Sequence, residues 1–206
     1  MSLRIIIISV AIFNLLLILG FNGNSLTMAQ DARRSSITLP ISVYILDDQD
    51  GALSSTRTTE QLIEIFDKAN QIWSQAGIRF EIKYIGRIVL PPKILKELVN
   101  GNYKPFLAGM NRDFQISNPS FNAFYASSIG LVNGVAVRSD MFFVTDFPSV
   151  RYERVTAHEI GHLLGLGHAH RDAARLMYSG TNGTNLTEEE IKTARDNAKL
   201  KLSIAY

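Results

Sequence analysis

The spacing of apolar positions changes several times along the chain, and each change marks an element. Residues 37–46, Ile-Thr-Leu-Pro-Ile-Ser-Val-Tyr-Ile-Leu, are rich in β-formers and alternate from Ile41 through Ile45, which predicts a strand. Thr58 and Gln61 then stand at capping-box spacing. Leu62, Phe66, Ala69, Trp73 and Ala76 follow at steps of four and three, so a helix is expected until Gly77 stops it. Ile78, Phe80, Ile82 and Tyr84 alternate with Arg79, Glu81 and Lys83, the pattern of a strand with one buried face. A strand–helix–strand opening suits a right-handed crossover in a mixed sheet. Pro91-Pro92 opens a shorter helical stretch through Val99 that Asn100-Gly101 closes. Residues 100–120 have glycines, prolines and asparagines but no period, and read as irregular loop. Phe121 to Ser127 and Met141 to Thr145 read as strands, with Gly134-Val135-Ala136-Val137 between them. Asp146 to Ser149 offer turn and cap residues for a helix from about Ser149 to Leu164. A last helix is capped by Thr187 with Glu190, and Ile191, Ala194, Ala198 and Leu202 form its apolar face.

The N-terminus departs from these patterns. After Arg4 the run Ile5 to Leu19 is apolar apart from Ser9 and Asn14, about fifteen residues, which matches a signal-peptide core and is short for a membrane span. Thr27-Met28-Ala29 fits a cleavage site before Gln30, so residues 1–29 are expected to be a signal peptide and 30–206 a single secreted domain. The alternative is an uncleaved N-terminal membrane anchor or a lipid-linked form; with the leader removed, no stable membrane insertion of the mature chain is expected. Lys plus Arg number 21 against 19 acids, and a net charge of +2 gives no sign of a nucleic-acid partner. Cysteine is absent, which excludes disulfides and any control through a thiol. Little sequence separates Gln30 from the first strand, so the mature form is expected to be active without further trimming. Asp47-Asp48-Gln49-Asp50-Gly51 is acidic enough to raise calcium, but it lacks the twelve-residue loop pattern and reads first as a solvated turn. Asn182-Gly183-Thr184 and Asn185-Leu186-Thr187 are glycosylation sequons, relevant only in a host that glycosylates exported proteins.

The chemistry is concentrated in His158-Glu159-Ile160-Gly161-His162-Leu163-Leu164-Gly165-Leu166-Gly167-His168. On a helix, positions i and i+4 share a face, so His158 and His162 can direct two imidazoles at one metal ion. Glu159, beside that face, is placed to take a proton from a water rather than to ligate. Gly165 can adopt the left-handed conformation that ends the helix, after which His168 arrives as a third nitrogen. Three histidines leave one tetrahedral position of a zinc ion open, as in catalytic rather than structural sites. Lone helical histidines are usually surface or core residues. Here three of the chain's 4 histidines fill the pattern together, and His170 is left as a solvent-facing neighbour.

This motif, followed nine residues after His168 by Met177, resembles the metzincin clan of zinc metallopeptidases. The Leu176-Met177-Tyr178 order and the stretch from Asn185 to Ile191 are similar to the matrixin branch. Ala169 and Ser179-Gly180 depart from that branch. The resemblance implies an α+β catalytic domain: a twisted mixed sheet with two long helices in an upper lobe (about 37–167) and a small lower lobe (about 168–206) with a Met-turn and one helix. It implies one catalytic zinc held by His158, His162 and His168, with Glu159 as general base and Gly165 and Met177 supporting by shape. Tyr178 is given no metal role. No second, structural zinc is expected, since residues 100–120 lack histidine. Gly134 to Val137 resembles the clan's edge strand, along which a protein or peptide substrate would lie extended. The expected function is that of an exported zinc-dependent endopeptidase; the alternative is a secreted zinc-containing protein-binding module without turnover. The side chain after the scissile bond would meet Val155, Tyr178, Ser179 and Gly180, all uncharged, which favours apolar residues there. Arg151, Arg154 or Arg175 at the pocket floor would instead favour Asp or Glu.

Overall fold

β1 (Ile37–Asp47) is the strand on which the sheet is laid. It pairs in parallel with β2 (Ile78–Val89) on one side and β3 (Phe121–Ala126) on the other. β3 in turn pairs in parallel with β5 (Met141–Thr145), and β4 (Gly134–Arg138) closes the sheet antiparallel to β5. Among the described residues, the order β2-β1-β3-β5-β4 leaves one edge of β4 unpaired. This computed structural model describes residues 35–110 and 121–205. The expected leader and its cleavage site lie outside the described residues, as do 111–120. Ile37–Tyr206 cluster into one compact unit.

Both sheet faces are covered, which accounts for the near-continuous apolar character of β1. Ile41, Val43 and Ile45 face one core with α1 (Thr59–Trp73), while Tyr44 and Leu46 face a second core. α1 starts with the expected capping box: Thr58 accepts from the Gln61 N–H and Gln61 accepts from the Thr58 N–H, both at 3.2 Å. A 3-10 turn (Ser74–Ala76) and Gly77, at φ 61°, end it. The indole N–H of Trp73, fully buried, donates to the Ala157 carbonyl at 3.2 Å and so ties α1 to the motif helix.

The alternation expected in β2 holds to Ile82 and then fails. A bulge opposite Ile41 and Ser42 skips Lys83, so Tyr84 sits at 42% exposure instead of in the core. A second difference lies in the stretch read as irregular loop. After α2 (Pro92–Val99), a short helix α3 (Lys104–Gly109) forms because Phe106 packs edge-on against Phe124 and Phe143 with centroids 5.0 Å away. Six residues are too few for a helical period to show.

The motif helix α4 runs Tyr152–Leu163 and begins later than expected. Asp146 and Ser149 do not cap it. The fully buried Asp146 carboxylate accepts from Ser55 Oγ at 2.7 Å and the Thr56 N–H at 2.6 Å, while Ser149 pairs with Asn133. The last helix α5 (Glu188–Ala205) has its capping box at Thr187 and Glu190, and it packs Ile191, Ala194 and Ala198 back on the first core. No described helix is long and apolar enough to cross a membrane.

Candidate metal centre and cleft

α4 presents His158 and His162 one turn apart, with ring centroids separated by 4.8 Å. Gly165, at φ 82°, turns the chain in the left-handed region, and the Leu166 N–H returns to the Gly161 carbonyl at 2.9 Å. That reversal carries His168 to within 4.7 Å of the His162 ring and 5.3 Å of the His158 ring. The three residues form the only cluster of three or more metal-ligating side chains among the described residues. His170, exposed, lies outside it.

Two backbone carbonyls fix the direction of the rings. His158 Nδ1 donates to the Leu176 oxygen and His162 Nδ1 to the Leu166 oxygen, each at 2.8 Å. With Nδ1 so engaged, each Nε2 presents its lone pair inward. His162 Nε2 lies 3.1 Å from His168 Nε2, and all three ligand atoms lie within 4.8 Å of one another. Zinc–nitrogen bonds of about 2.0–2.1 Å in a tetrahedron set nitrogens about 3.4 Å apart, so the donor set fits zinc. Burial, aided by the neighbouring Arg154 and histidines, holds His158 down to about 4 against its ordinary 6.5. Burial lowers His162 as well, with His168 adding to it. Both are neutral, as ligands must be, at pH 7.

Glu159, at 5% exposure, lines the same cleft as the three histidines and accepts a hydrogen bond from the Ala136 backbone on β4. Burial pushes its carboxyl up to about 8, although that hydrogen bond and Arg154 act in the opposite direction. β4 and α4 approach closely here. A Cβ on Gly134 would lie 2.8 Å from Glu159 Oε1 and 2.9 Å from Val155 Cγ1, so the edge strand needs glycine at this point. Gly161 has an analogous reason: a Cβ there would lie 2.5 Å from the sulfur of the fully buried Met177. The Met177 carbonyl also accepts from the Ala169 N–H at 2.8 Å, anchoring the residue after His168.

Arg154, one turn before His158, is the site residue whose role the motif does not reveal. Its Nη2 donates to the Leu176 carbonyl at 2.6 Å and to the Tyr178 carbonyl, and its Nε reaches Gly183 O at 3.4 Å. Leu176 O therefore serves Arg154 and His158 together. Burial pulls the guanidinium below its usual pKa, with Glu159 pulling the other way. Its i−4 relation to His158 is a signal the sequence contains, because it puts both side chains on one face of α4. Tyr178 contributes a carbonyl and is not on the cleft wall. The acidic turn at Asp47–Gly51 gathers no ligand set: Asp48 accepts from the Leu53 N–H and Ser54 Oγ, and Asp47 pairs with Arg87 at 2.6 Å.

These groups line an open cleft of about 830 Å³ between β4, α4 and Ser179–Gly180. The Matrixin family model matches residues 138–199, from the end of β4 through the motif into α5. No curated protein matches the chain. Among solved structures, archaemetzincin from Methanopyrus kandleri is similar with a TM-score of 0.55 at 20% identity, over 81% of this chain and 98% of that one. Metalloproteinase-II from Bacteroides fragilis is similar at TM-score 0.52 and 14% identity, over 79% of this chain and 54% of that one. A chain from a chaperone-substrate complex gives 0.56 at 14% identity, over 83% and 35%. At these identities the likeness is one of fold. In motif and in fold, therefore, the chain resembles the metzincin-like zinc metallopeptidases, and its three histidines lie inside the segment that matches the Matrixin model.

Proposed function

We propose that the protein is an exported endopeptidase in which Glu159 is the general base. The observation that carries this reading is the Glu159 carboxylate, held beside three convergent imidazole nitrogens and facing a cleft along an unpaired strand edge. Zinc, when bound by His158, His162 and His168, supplies a Lewis acid and makes water a stronger acid. A Glu159 carboxylate oxygen takes the proton of the attacking water and hands it to the nitrogen of the leaving amine. β4 offers its free N–H and C=O groups to an extended substrate backbone, and the Ala136 N–H and Gly134 hold the carboxylate in place.

Because Glu159 is not a ligand, Glu159→Ala is expected to keep one zinc per chain and lose peptide hydrolysis, whereas His162→Ala loses both. Metal analysis beside a peptide assay distinguishes them. Undiminished turnover by Glu159→Ala would overturn the mechanism, and zinc without turnover in the wild type would identify a binding module. Export rests on the apolar run Ile5 to Leu19 and the Thr27-Met28-Ala29 site. N-terminal sequencing of exported protein is expected to begin at Gln30; a start well beyond Leu39 would contradict it.

A further inference from the structure

Asn182-Gly183-Thr184 is a sequon, and its first two residues also carry a chemistry that needs no enzyme. An asparagine followed by glycine can close into a cyclic imide, because no Cβ on the second residue obstructs attack by its amide nitrogen on the asparagine side chain. The described residues contain three such pairs, Asn100-Gly101, Asn133-Gly134 and Asn182-Gly183, and the fold treats them differently. At the first, the Gly101 N–H donates to the Leu98 carbonyl at 2.8 Å and the Asn100 side chain donates to the Lys96 carbonyl at 2.9 Å. At the second, Ser149 holds both ends of the Asn133 amide, Oδ1 at 2.8 Å and Nδ2 at 3.0 Å, while Gly134 is fixed in β4 against Glu159 and Val155. Asn182 is exposed, and the Gly183 N–H has only a long contact to Thr181 Oγ1 at 3.4 Å. Among the described residues nothing is hydrogen-bonded to Asn182 Nδ2, the atom that has to leave.

Arg151 contacts both oxygens on which charge would develop. Its backbone N–H donates to Asn182 Oδ1 at 2.8 Å, and its Nη2 donates to the Asn182 main-chain oxygen at 2.9 Å, while its Nε faces Glu153 at 3.7 Å. That main-chain oxygen belongs to the peptide group whose nitrogen is Gly183 N. When this nitrogen loses its proton, negative charge spreads to the oxygen beneath the guanidinium, and a charge-assisted hydrogen bond stabilises it. When the nitrogen attacks, charge moves to Oδ1, where the Arg151 N–H already points. The corresponding main-chain oxygen of Asn133 accepts a neutral backbone N–H, that of Thr145.

We propose that Asn182 converts spontaneously to aspartate and isoaspartate, with Arg151 promoting the reaction, so that the chain carries its own ageing site beside the turn after Met177. Gly183 N bonds to Asn182 Cγ, the Cγ–Nδ2 bond breaks, and the departing nitrogen takes the proton given up by Gly183 and leaves as ammonia. Water then opens the imide. Attack at Cγ gives aspartate; attack at the main-chain carbonyl gives isoaspartate, whose main chain is one carbon longer. Aspartate fits the site, since its carboxylate keeps the Arg151 N–H and gains the guanidinium as a partner. Isoaspartate does not. A Cβ on Gly183 would run into the backbone of Ala173 and Ala174, so the extra carbon before it has no slack to use, and the Gly183 carbonyl that receives Arg154 Nε at 3.4 Å is displaced.

The test uses zinc-loaded protein from a host that does not glycosylate, held at mildly alkaline pH and peptide-mapped by mass spectrometry at intervals, with Glu159→Gln alongside so that self-digestion plays no part. The mass gain of NH exchanged for O is expected at Asn182 about fivefold faster or more than at Asn100 or Asn133, the factor that one backbone hydrogen bond to be broken first supplies. Arg151→Gln is expected to slow Asn182 by a similar factor and to leave the other two sites unchanged, and Arg151→Lys, which keeps the charge, to fall between. Aged protein rich in isoaspartate is expected to unfold at a lower temperature than both fresh protein and Asn182→Asp. Equal rates at the three pairs, or a rate at Asn182 that Arg151→Gln leaves unchanged or raises, would overturn the assignment. Aged protein that unfolds with Asn182→Asp would overturn the consequence drawn for the fold.

Discussion

Glu159 and His158 are neighbours on α4, and burial acts on them with opposite signs because it disfavours whichever form is charged. The Glu159 carboxyl is raised to about 8 from an ordinary 4.5, so in the metal-free protein it adds stability below pH 4.5 that is lost as pH rises through 8. His158 is lowered to about 4 from 6.5, so its contribution is present above 6.5 and lost as pH falls through 4. The two slopes oppose each other from 4.5 to 6.5, and His162, also lowered by burial, acts there on the same side as His158. Between pH 6.5 and 8 only Glu159 acts, and the metal-free protein is expected to lose on the order of 2 kcal/mol there. Urea unfolding across that range checks this. Glu159→Gln, which cannot ionise, should hold its stability; an equal loss in the variant would place the titration elsewhere.

Between elements, the contact that matters most for chemistry is that of β4 with α4. The hydrophobic pattern marks both elements but says nothing of their separation, which the missing side chain at Gly134 sets. Gly134→Ala puts a methyl group against Glu159 Oε1 and Val155 Cγ1, and Val155 is part of a packed core that cannot yield freely. The helix and its histidines remain, so zinc stoichiometry is expected to be unchanged. The displaced carboxylate should lower kcat by about a hundredfold, on the sensitivity of proton transfer to a shift near 1 Å. Metal analysis with steady-state kinetics tests this, and a wild-type kcat would show that β4 simply moves aside. The same distinction between pattern and packing explains α3. Its six residues show no period, and it exists because Phe106 has two aromatic rings to pack against.

For the whole molecule, the question is whether the metal or the core holds the fold. The three ligands sit over a core that reaches from β1 and α1 through α4 and Met177 to α5, and a second core fills the far side of the sheet. Such packing does not depend on a metal as a zinc finger does. Chelation is therefore expected to abolish hydrolysis while leaving far-UV circular dichroism and a single cooperative unfolding transition in place. The midpoint should fall by an amount that depends on free zinc concentration. Loss of the cooperative transition on chelation would make the site structural.

The sequence by itself determined the elements with strong local signals: β1, α1 with Thr58 and Gln61, the return at Gly165, and α5 with its cap at Thr187. It also placed His158 and His162 on one face of α4, because helical spacing converts directly into direction in space. Tertiary structure alone decided the rest. The bulge at Lys83 that turns Tyr84 outward depends on register with β1, and the start of α4 depends on Asp146 being drawn off by Ser55 and Thr56. Gly161 and Gly134 acquire meaning only when Met177 and Glu159 arrive from elsewhere to fill the space a Cβ would occupy. Arg154, read from sequence, is one of four arginines near the motif, with Arg151, Arg171 and Arg175. Only the folded chain shows which of them finds an acid, which faces solvent, and which is left against the cleft, because charge pairing is set by distances that no local period encodes.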